Sequence, residues 1–261
     1  MKARQLAWLL AAATVTLLAA CGGGGSNDNL DDRLGIADPK LRLVHAVPGG
    51  PDVSLWRNGL KDADATGIAY KTASKYYVIN EGRTDLQIKT ASGDTAVAAA
   101  QLDSNRGHRY TLVALPGSSG VDVLAIDDPY QKGLTSEKAR VRVANAAVNT
   151  QAVDIYLTAP NADLNTAAPQ FASVGYKAAN PPTGNDSVEF DGGDYQLRVT
   201  TAGTKTVIFN AGVTLGKNVD WLLVSIPDAG LAGVLTPNAI RMIVVKADDN
   251  AATASQELTS H

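Results

Sequence analysis

The sequence predicts an all-β protein made of two tandem antiparallel β-sandwich domains of Ig-like type, preceded by a flexible segment. Three observations support this prediction. Short segments with alternating or β-branched apolar residues recur along the chain, for example 52–56 and 109–113. Turn signals rich in Gly, Pro, Asn and Asp separate these segments by roughly 8–12 residues, a spacing typical of sandwiches. The third observation is that the second half of the chain repeats the first.

The repeat indicates two copies of one β domain. The offset between matching segments grows in steps from 100 to 119 residues, and each step falls in a polar segment that contains Pro or Gly. Insertions belong in loops, because one extra residue in a strand turns its side chains to the opposite face. We therefore expect one domain over residues 40–130 and a second over 138–248. The matching segments are 41–46 with 141–146, 52–55 with 154–157, 70–71 with 176–177, 82–88 with 193–199, 110–116 with 221–227 and 121–125 with 240–244.

The first twenty residues have the three parts of a secretory signal. Lys2 and Arg4 form a basic start, an apolar stretch follows over 6–18, and small residues precede Cys21. The apolar stretch is shorter than the about 20 residues that a membrane-spanning helix needs. We therefore predict that residues 1–20 are a signal peptide that is removed on export.

Leu18-Ala19-Ala20-Cys21 resembles the lipobox of bacterial lipoproteins, which implies that Cys21 is acylated, with palmitate among its chains, and begins the mature protein. Cys21 is the only Cys of the chain, and acylation removes a thiol that would be unpaired in an oxidising compartment. The alternative is an ordinary cleavage site followed by a chance Cys. Gly22 is not the Asp that retains such proteins in the inner membrane. The resemblance therefore implies the cell outer membrane, on its periplasmic or its external face.

The segments outside the two domains are small and polar. Residues 21–39 are rich in Gly and Asp and predict a flexible tether with a reach of about 25 Å. Residues 249–261 predict a disordered tail. Without Lys2 and Arg4, the exported chain has 21 basic and 26 acidic residues. That acidic balance argues against a nucleic-acid partner, because phosphates favour a basic surface.

The motifs of the first copy resemble a known family. They are Arg42-Leu43-Val44-His45-Ala46-x-Pro48, Asp52-Val53, Asn58-Gly59 and Gly82-x-Thr84, with a strand that ends in Leu115. They are similar to domain of unknown function 4397 (DUF4397), a β-sandwich module of bacterial secreted proteins and lipoproteins that often occurs in tandem. The resemblance covers about 40–128, and more loosely 138–248. It implies a fold and no established activity.

His45 is the most suggestive candidate for chemistry. With Asp52, on the far side of a Pro-Gly-Gly-Pro turn, it could form an acid–base or metal-binding pair. Alternatively, Asp52 or a backbone carbonyl holds a partly buried imidazole and fixes that turn. The second copy keeps Asp154 but has Asn145 in place of the His, and an amide cannot transfer a proton at neutral pH. This difference favours the structural role.

Other side chains offer weaker signals. No two of the three His stand at a metal-ligand spacing, and no hydrolase or phosphate-binding motif occurs. We therefore expect no metal, no cofactor and no enzyme. Clustered carboxylates predict either Ca²⁺ binding or solvated loops, of which we favour solvation. Tyrosines could stack on sugar rings or line an interface, although core or cross-strand packing is the commoner use, to which Trp56 and Trp221 are also assigned. The carboxylates are Asp122, Asp127, Asp128, Asp186, Glu189, Asp191 and Asp194, and the tyrosines are Tyr70, Tyr76, Tyr77, Tyr130, Tyr156 and Tyr176.

Together these observations predict a lipid-anchored, non-catalytic module of the cell envelope that presents two sandwiches to a glycan, a cell-wall polymer or a protein. One alternative is an envelope-polymer hydrolase that uses loop carboxylates such as Asp52 and Asp154. The other is a structural subunit of an envelope complex, which a contiguous apolar patch would favour.

Replacing Cys21 with Ala tests the predicted anchor. We expect the variant to lose fatty-acid labelling and to remain uncleaved or leave the membrane fraction, because the acceptor sulfur is gone. Metabolic labelling with palmitate, followed by detergent partitioning, measures both effects. Labelling that persists in the variant would refute the assignment.

Overall fold

A computed structural model describes residues 30–228, 230–248 and 253–261, and it is all-β apart from two short helices, α1 (Leu30–Arg33) and α2 (Gly230–Val234). The first half of the chain forms β1 (Lys40–His45), β2 (Val53–Arg57), β3 (Leu60–Lys61), β4 (Tyr77–Val78), β5 (Gly82–Thr90), β6 (Ala96–Ser104), β7 (Arg109–Gly117) and β8 (Gly120–Asp128). The second half forms β9 (Ala139–Asn145), β10 (Val153–Thr158), β11 (Phe171–Val174), β12 (Ala178–Asn180), β13 (Val188–Phe190), β14 (Gly193–Thr201), β15 (Val207–Leu215), β16 (Val219–Pro227), β17 (Ile240–Asp248) and β18 (Thr253–Leu258).

The described strands form four sheets, two from each half of the chain. In the first sandwich, the outer sheet has the order β3-β2-β5-β6 and the inner sheet β4-β1-β7-β8. In the second sandwich, the outer sheet is β11-β10-β14-β15 and the inner sheet is β12-β9-β16-β17-β18, with β13 also pairing with β9. The predicted all-β class is confirmed.

The prediction of antiparallel sandwiches is confirmed, with one parallel strand pair in each sandwich. β1 pairs with β7 in parallel, and β9 pairs with β16 in parallel. Between the paired strands the chain visits the outer sheet, and only such a crossover lets two strands of one sheet run in the same direction. An alternating pattern alone does not reveal strand direction.

Each sandwich has its own apolar core between its two sheets. In the first, Leu41 and Leu43 of β1 and Leu112 of β7 pack against Leu55 and Ile88 of the outer sheet. In the second, the inner sheet contributes Val141, Trp221 and Leu223, which pack against Val199 and Phe209. Alternate residues of each strand supply these side chains, as the pleat requires.

A third core joins the two inner sheets. The residues of β1 and β7 that point away from the first core, such as Val44 and Val113, pack against Leu222, Val224 and Ile243 of the second inner sheet. The inner strands are therefore buried on both faces, and the layers stack as outer, inner, inner, outer. The two halves of the chain form one body.

One end of this third core is charged. Four arginines on the inner strands, Arg42, Arg109, Arg140 and Arg142, are at most 5% exposed. Arg140 lies 2.6 Å from Asp128 and 3.3 Å from Asp220, and it also contacts Asp186. The guanidinium of Arg109 contacts Asp220 at 2.5 Å and also Asp32. Arg142 lies 3.7 Å from Asp128, whereas Arg42 donates to the Thr111 hydroxyl at 2.9 Å. We call Arg109, Arg140, Arg142 and the four aspartates the buried ion cluster.

Arginines of the buried ion cluster contact the Tyr130 ring and lower the pKa of Asp128. The guanidinium carbons of Arg109 and Arg140 lie 3.7 and 4.1 Å from the Tyr130 ring centroid. Burial alone would raise the pKa of Asp128, but Arg140 and Arg142 hold it at about 2. Asp128 is therefore ionised throughout the physiological range, which keeps its ion pairs with Arg140 and Arg142 in place.

The repeated Tyr-Lys pair connects the two sandwiches reciprocally. Tyr70-Lys71 of the first reaches the second, where Lys71 pairs with Glu257 at 2.7 Å. Tyr176-Lys177 of the second reaches the first, where Tyr176 donates to the carbonyl of Pro116 and Lys177 pairs with Asp122. Both lysines have positive φ, 69° and 60°. The two copies therefore face each other with approximate twofold symmetry.

The ends of the described chain differ from the sequence expectations. Within the expected tether, Asp32 and Arg33 of α1 are buried, and Arg33 donates to the carbonyls of Gly133 and Leu134 at 2.7 and 2.8 Å. Within the expected tail, residues 253–258 form β18 beside β17. Both segments are polar, and both are ordered by partners in the folded body that local composition does not reveal.

No helix among the described residues is long and apolar enough to cross a membrane. The predicted signal peptide, Cys21 and the first part of the tether lie outside the described residues.

Arg140→Met tests the buried ion cluster. The variant leaves three carboxylates near a desolvated site, so we expect the free energy of unfolding to fall by about 3–5 kcal/mol. Urea unfolding at neutral pH measures the change. Arg106→Met is the matched control, because Arg106 is 60% exposed and pairs with Asp38 at the surface, and it should change stability by less than about 0.5 kcal/mol. Equal effects of the two substitutions would contradict the assigned role of the cluster.

Candidate functional site

His45 is 1% exposed, at the end of β1. The Val47 N–H donates to His45 Nδ1 at 3.3 Å, so the ring proton is on Nε2, which donates to the Pro51 carbonyl at 3.0 Å. Burial lowers the pKa of His45, and the Pro51 carbonyl and the Asp52 charge oppose this more weakly. The neutral imidazole therefore stabilises the turn between β1 and β2 through two hydrogen bonds.

Asn145 makes the same two hydrogen bonds in the second copy. Its Nδ2 donates to the carbonyl of Gln151 at 3.1 Å, and its Oδ1 accepts from the Ala147 N–H at 3.0 Å. The partners stand two and six residues after Asn145, as Val47 and Pro51 stand after His45. An amide reproduces the donor and acceptor of a neutral imidazole, but it cannot supply a proton-transfer group.

The structure does not bring Asp52 and Asp154 together. Asp52 is exposed next to the outer sheet of the first sandwich. Asp154 is buried in the outer sheet of the second, where its two oxygens accept from the N–H groups of Ser173 at 2.7 Å and Gly203 at 2.8 Å. The two outer sheets are separated by two inner layers, which is roughly 30 Å at about 10 Å per layer. Paired carboxylate catalysis would require a separation below about 10 Å.

The clustered carboxylates contact cations and hydroxyls of the protein itself. No group of three His, Cys, Asp or Glu placed to hold a metal ion occurs in the described parts of the chain. The contacts are Asp122 with Lys177, Asp127 with His108 at 2.7 Å, Asp128 and Asp186 with Arg140, Glu189 with Ser136 at 2.8 Å, Asp191 with Lys138 at 3.8 Å, and Asp194 with Thr214 at 2.6 Å.

The tyrosines divide into core and interface residues. Tyr77, Tyr130 and Tyr156 are buried. Tyr70 and Tyr176 are half-buried between the sandwiches, and burial raises the pKa of each to about 12. The sixth, Tyr76, is half-buried, with its hydroxyl 3.0 Å from that of Thr111 and the Arg42 guanidinium carbon 4.3 Å from its ring centroid. All six rings are therefore engaged within the protein.

Trp56 is half-buried on the outer face of the first sandwich, so its packing is of the cross-strand kind, whereas Trp221 belongs to the core of the second sandwich. Leu55 and Ile88 point into the first sandwich, so their neighbours Trp56 and Gln87, which are paired across β2 and β5, point outward. The Lys89 ammonium lies 3.8 Å from the Trp56 ring centroid. The sequence pattern of 53–56 could have predicted the outward direction of Trp56, because Val53 and Leu55 occupy the alternate, inward positions.

Polar side chains surround Trp56 on the outer face of the first sandwich. Gln87 and Gln101 are exposed on neighbouring strands, and the Gln101 amide donates to Asp85 at 2.9 Å. Small Ala99 lies opposite Gln87 and leaves a shallow depression beside it. We call Trp56, Asp85, Gln87, Lys89 and Gln101 the Trp56 face.

The corresponding face of the second sandwich is covered. Residues 159–170, an insertion relative to the first copy, lie over it and are held by three hydrogen bonds. Arg198 donates to the Ala162 carbonyl at 2.8 Å, Lys205 donates to the Ala167 carbonyl at 2.5 Å, and the Leu157 N–H donates to Gln170 at 2.7 Å. The outward-pointing Tyr156 is consequently only 2% exposed. Of the two outer faces, the Trp56 face is the open one.

Replacing His45 with Asn tests the structural role of this residue. We expect a change in the free energy of unfolding of less than about 1 kcal/mol, because Asn145 already performs the same task, whereas His45→Ala should cost about 1–3 kcal/mol by leaving both partners unsatisfied. Urea titrations measure both.

The same variants give a pH test. The unfolded imidazole takes up a proton near pH 6.5 and the folded one does so only at lower pH, so the wild type should lose stability as the pH falls below 6.5. His45→Asn should lose less over that interval. Equal losses would contradict a buried neutral His45.

Comparisons with known proteins add a family and distant structures. Nine chains of solved structures match, among them CBMbc, a family CBM26 module from Eubacterium rectale Amy13K in complex with maltoheptaose (8% identity, 85% of this chain and 97% of that chain covered, TM-score 0.24), and a DUF3823 family protein from Bacteroides ovatus (8%, 86% and 97%, TM-score 0.19). Scores this low carry no argument about function.

The search of curated proteins found no match. Residues 39–156 match the family model described as "Domain of unknown function (DUF4397)", which confirms the resemblance based on the motifs around His45. From the start of the first sandwich to the second strand of the second, the chain is therefore similar to the DUF4397 family.

Proposed function

We propose that this protein is a non-catalytic binding module that holds a polysaccharide chain against the Trp56 face, while a lipid on Cys21 anchors it to the outer membrane. The observation that carries the binding proposal is the contrast between the two outer faces. One displays the half-buried Trp56 ring, and on the other, which the insertion 159–170 covers, the outward-pointing Tyr156 is only 2% exposed.

The chemistry of the Trp56 face suits a sugar chain. The flat, apolar face of an indole can pack against the C–H groups of a pyranose ring. The carboxamides of Gln87 and Gln101 donate and accept hydrogen bonds, as hydroxyl groups do, and Asp85 adds an acceptor. Lys89 has no carboxylate partner among the described residues, so it can leave the ring when a ligand arrives.

A non-catalytic role is favoured over the hydrolase alternative. Both oxygens of Asp154 are occupied by backbone N–H groups, and Asp52 lies on the opposite side of the body. His45 is neutral and held on both ring nitrogens. The proposed anchor would keep the body at the envelope, where polysaccharides are abundant ligands.

Trp56→Ala tests this proposal. We expect the exported chain to be retarded by at least one polysaccharide in an affinity-electrophoresis panel, and the variant to lose about tenfold or more in affinity with little loss of stability, because the ring is outside both cores. Trp56→Tyr should retain part of the binding.

Val207→Ala is the control, because Val207 is an apolar residue of the second sandwich that is 44% exposed. It should bind like the wild type. Retardation that is equal in the wild type and Trp56→Ala would show that the ligand binds elsewhere, and no retardation across the panel would remove the polysaccharide proposal.

A further inference from the structure

A second recess lies in the other sandwich, away from the Trp56 face. It is a cleft of about 210 Å³ between the edge strand β15 and the inner sheet, with room for roughly seven waters at about 30 Å³ each. Its walls include Trp221, Val244, Lys246, Gln256 and Leu258 from the inner sheet, and Gly212, Val213 and Thr214 from β15.

Two hydrogen-bond donors that line this cleft have no acceptor on the described residues of the protein. Trp221 is 4% exposed, and its Nε1–H is buried without a hydrogen-bond partner. Lys246, the cross-strand neighbour of Trp221, lies with its ammonium 4.4 Å from the indole ring centroid. No described carboxylate lies within ion-pair distance of Lys246. A buried N–H without an acceptor costs about 1–3 kcal/mol, which a bound acceptor would recover.

The free edge of β15 adds backbone donors. The N–H and C=O of Asn210 bond to Ser260 and His261, away from β14. Bonding direction alternates along an antiparallel strand, so the N–H groups of Gly212 and Thr214 also point away from β14 and toward the cleft. Gln256, exposed on β18, contributes a further amide.

We propose that this cleft binds a small carboxylate ligand. The ammonium of Lys246 supplies the charge, the indole N–H supplies a directed hydrogen bond, and Val244 and Leu258 contact the apolar part of the ligand. Lys246 now lies over the ring, so an entering anion would draw the ammonium off the indole and gain access to Nε1. A ligand cation is disfavoured, because the nearest charge is positive.

The carboxylate could belong to an acidic sugar or to the end of a peptide or amino acid. Both present the same group, and the cleft volume accommodates one sugar ring or one to two residues. The site does not share a residue with the Trp56 face, so the two proposals stand or fall separately.

The test follows the indole N–H signals of the exported chain by two-dimensional ¹H–¹⁵N NMR. That chain has two tryptophans, and Trp221→Phe assigns the signals. The probes are sodium glucuronate and N-acetylglycine, and their neutral controls are glucose and N-acetylglycinamide. We expect the Trp221 signal to shift with at least one carboxylate and with neither neutral control.

Substitutions separate specific binding from a general effect of salt. Lys246→Met keeps the apolar stem and should weaken the carboxylate about tenfold or more, Lys246→Arg should restore binding, and Trp56→Ala should leave it unchanged. A response to glucuronate alone would identify an acidic sugar, and a response to N-acetylglycine alone a peptide end. The proposal is overturned if neither carboxylate moves the signal up to about 100 mM, a concentration far above ordinary specific affinities, or if Lys246→Met responds like the wild type.

Discussion

The packing of the two inner sheets against each other is the constraint on which the rest of the molecule depends. A sheet buried on both faces places many polar residues of its strands in the interior. Arg109 and Arg140 are such residues, and burying a guanidinium is costly unless it is paired and hydrogen-bonded. Asp32 of α1, Asp128 of β8 and Asp220 of β16 provide them from three separate segments. The same cluster therefore orders the N-terminal segment and fixes the relation of the sandwiches.

This packing restricts where a ligand can bind. The inner faces and both sandwich cores are filled, which leaves the outer faces, the loops and the sheet edges. Because the insertion 159–170 covers one outer face, the two copies present different outer surfaces although they share a fold. The first copy keeps a half-buried aromatic residue, Trp56, on its outer face, and the second keeps an open edge at β15. The duplicated inner sheets thus form an approximately symmetric interface, whereas differences in the loops give the two sandwiches different outer surfaces.

Much of the architecture was predictable, because period-two patterns and turn residues are local signals. The repeat also contained signals of the interface between the two sandwiches. Tyr70-Lys71 recurs as Tyr176-Lys177, and a charged residue within an apolar strand, Arg42, recurs as Arg142. The order of residues 30–33 and 253–258 was not predictable, because distant partners hold them. Strand direction and the cover over Tyr156 likewise depend on long-range topology. His45 was interpretable only because Asn145 offered a comparison.

The two sandwiches are stabilised as one body, and the positions of the two tryptophans allow a direct measurement of their cooperativity. Trp56 belongs to the first sandwich and Trp221 to the second, so single-tryptophan variants with Phe at the other position report each half separately. Both variants are unfolded with urea and followed by fluorescence, which reports one sandwich, and by circular dichroism, which reports the whole chain. In each variant the two transitions should coincide. Two separated transitions, with one sandwich unfolding while the other stays folded, would contradict a body stabilised by its shared inner layers.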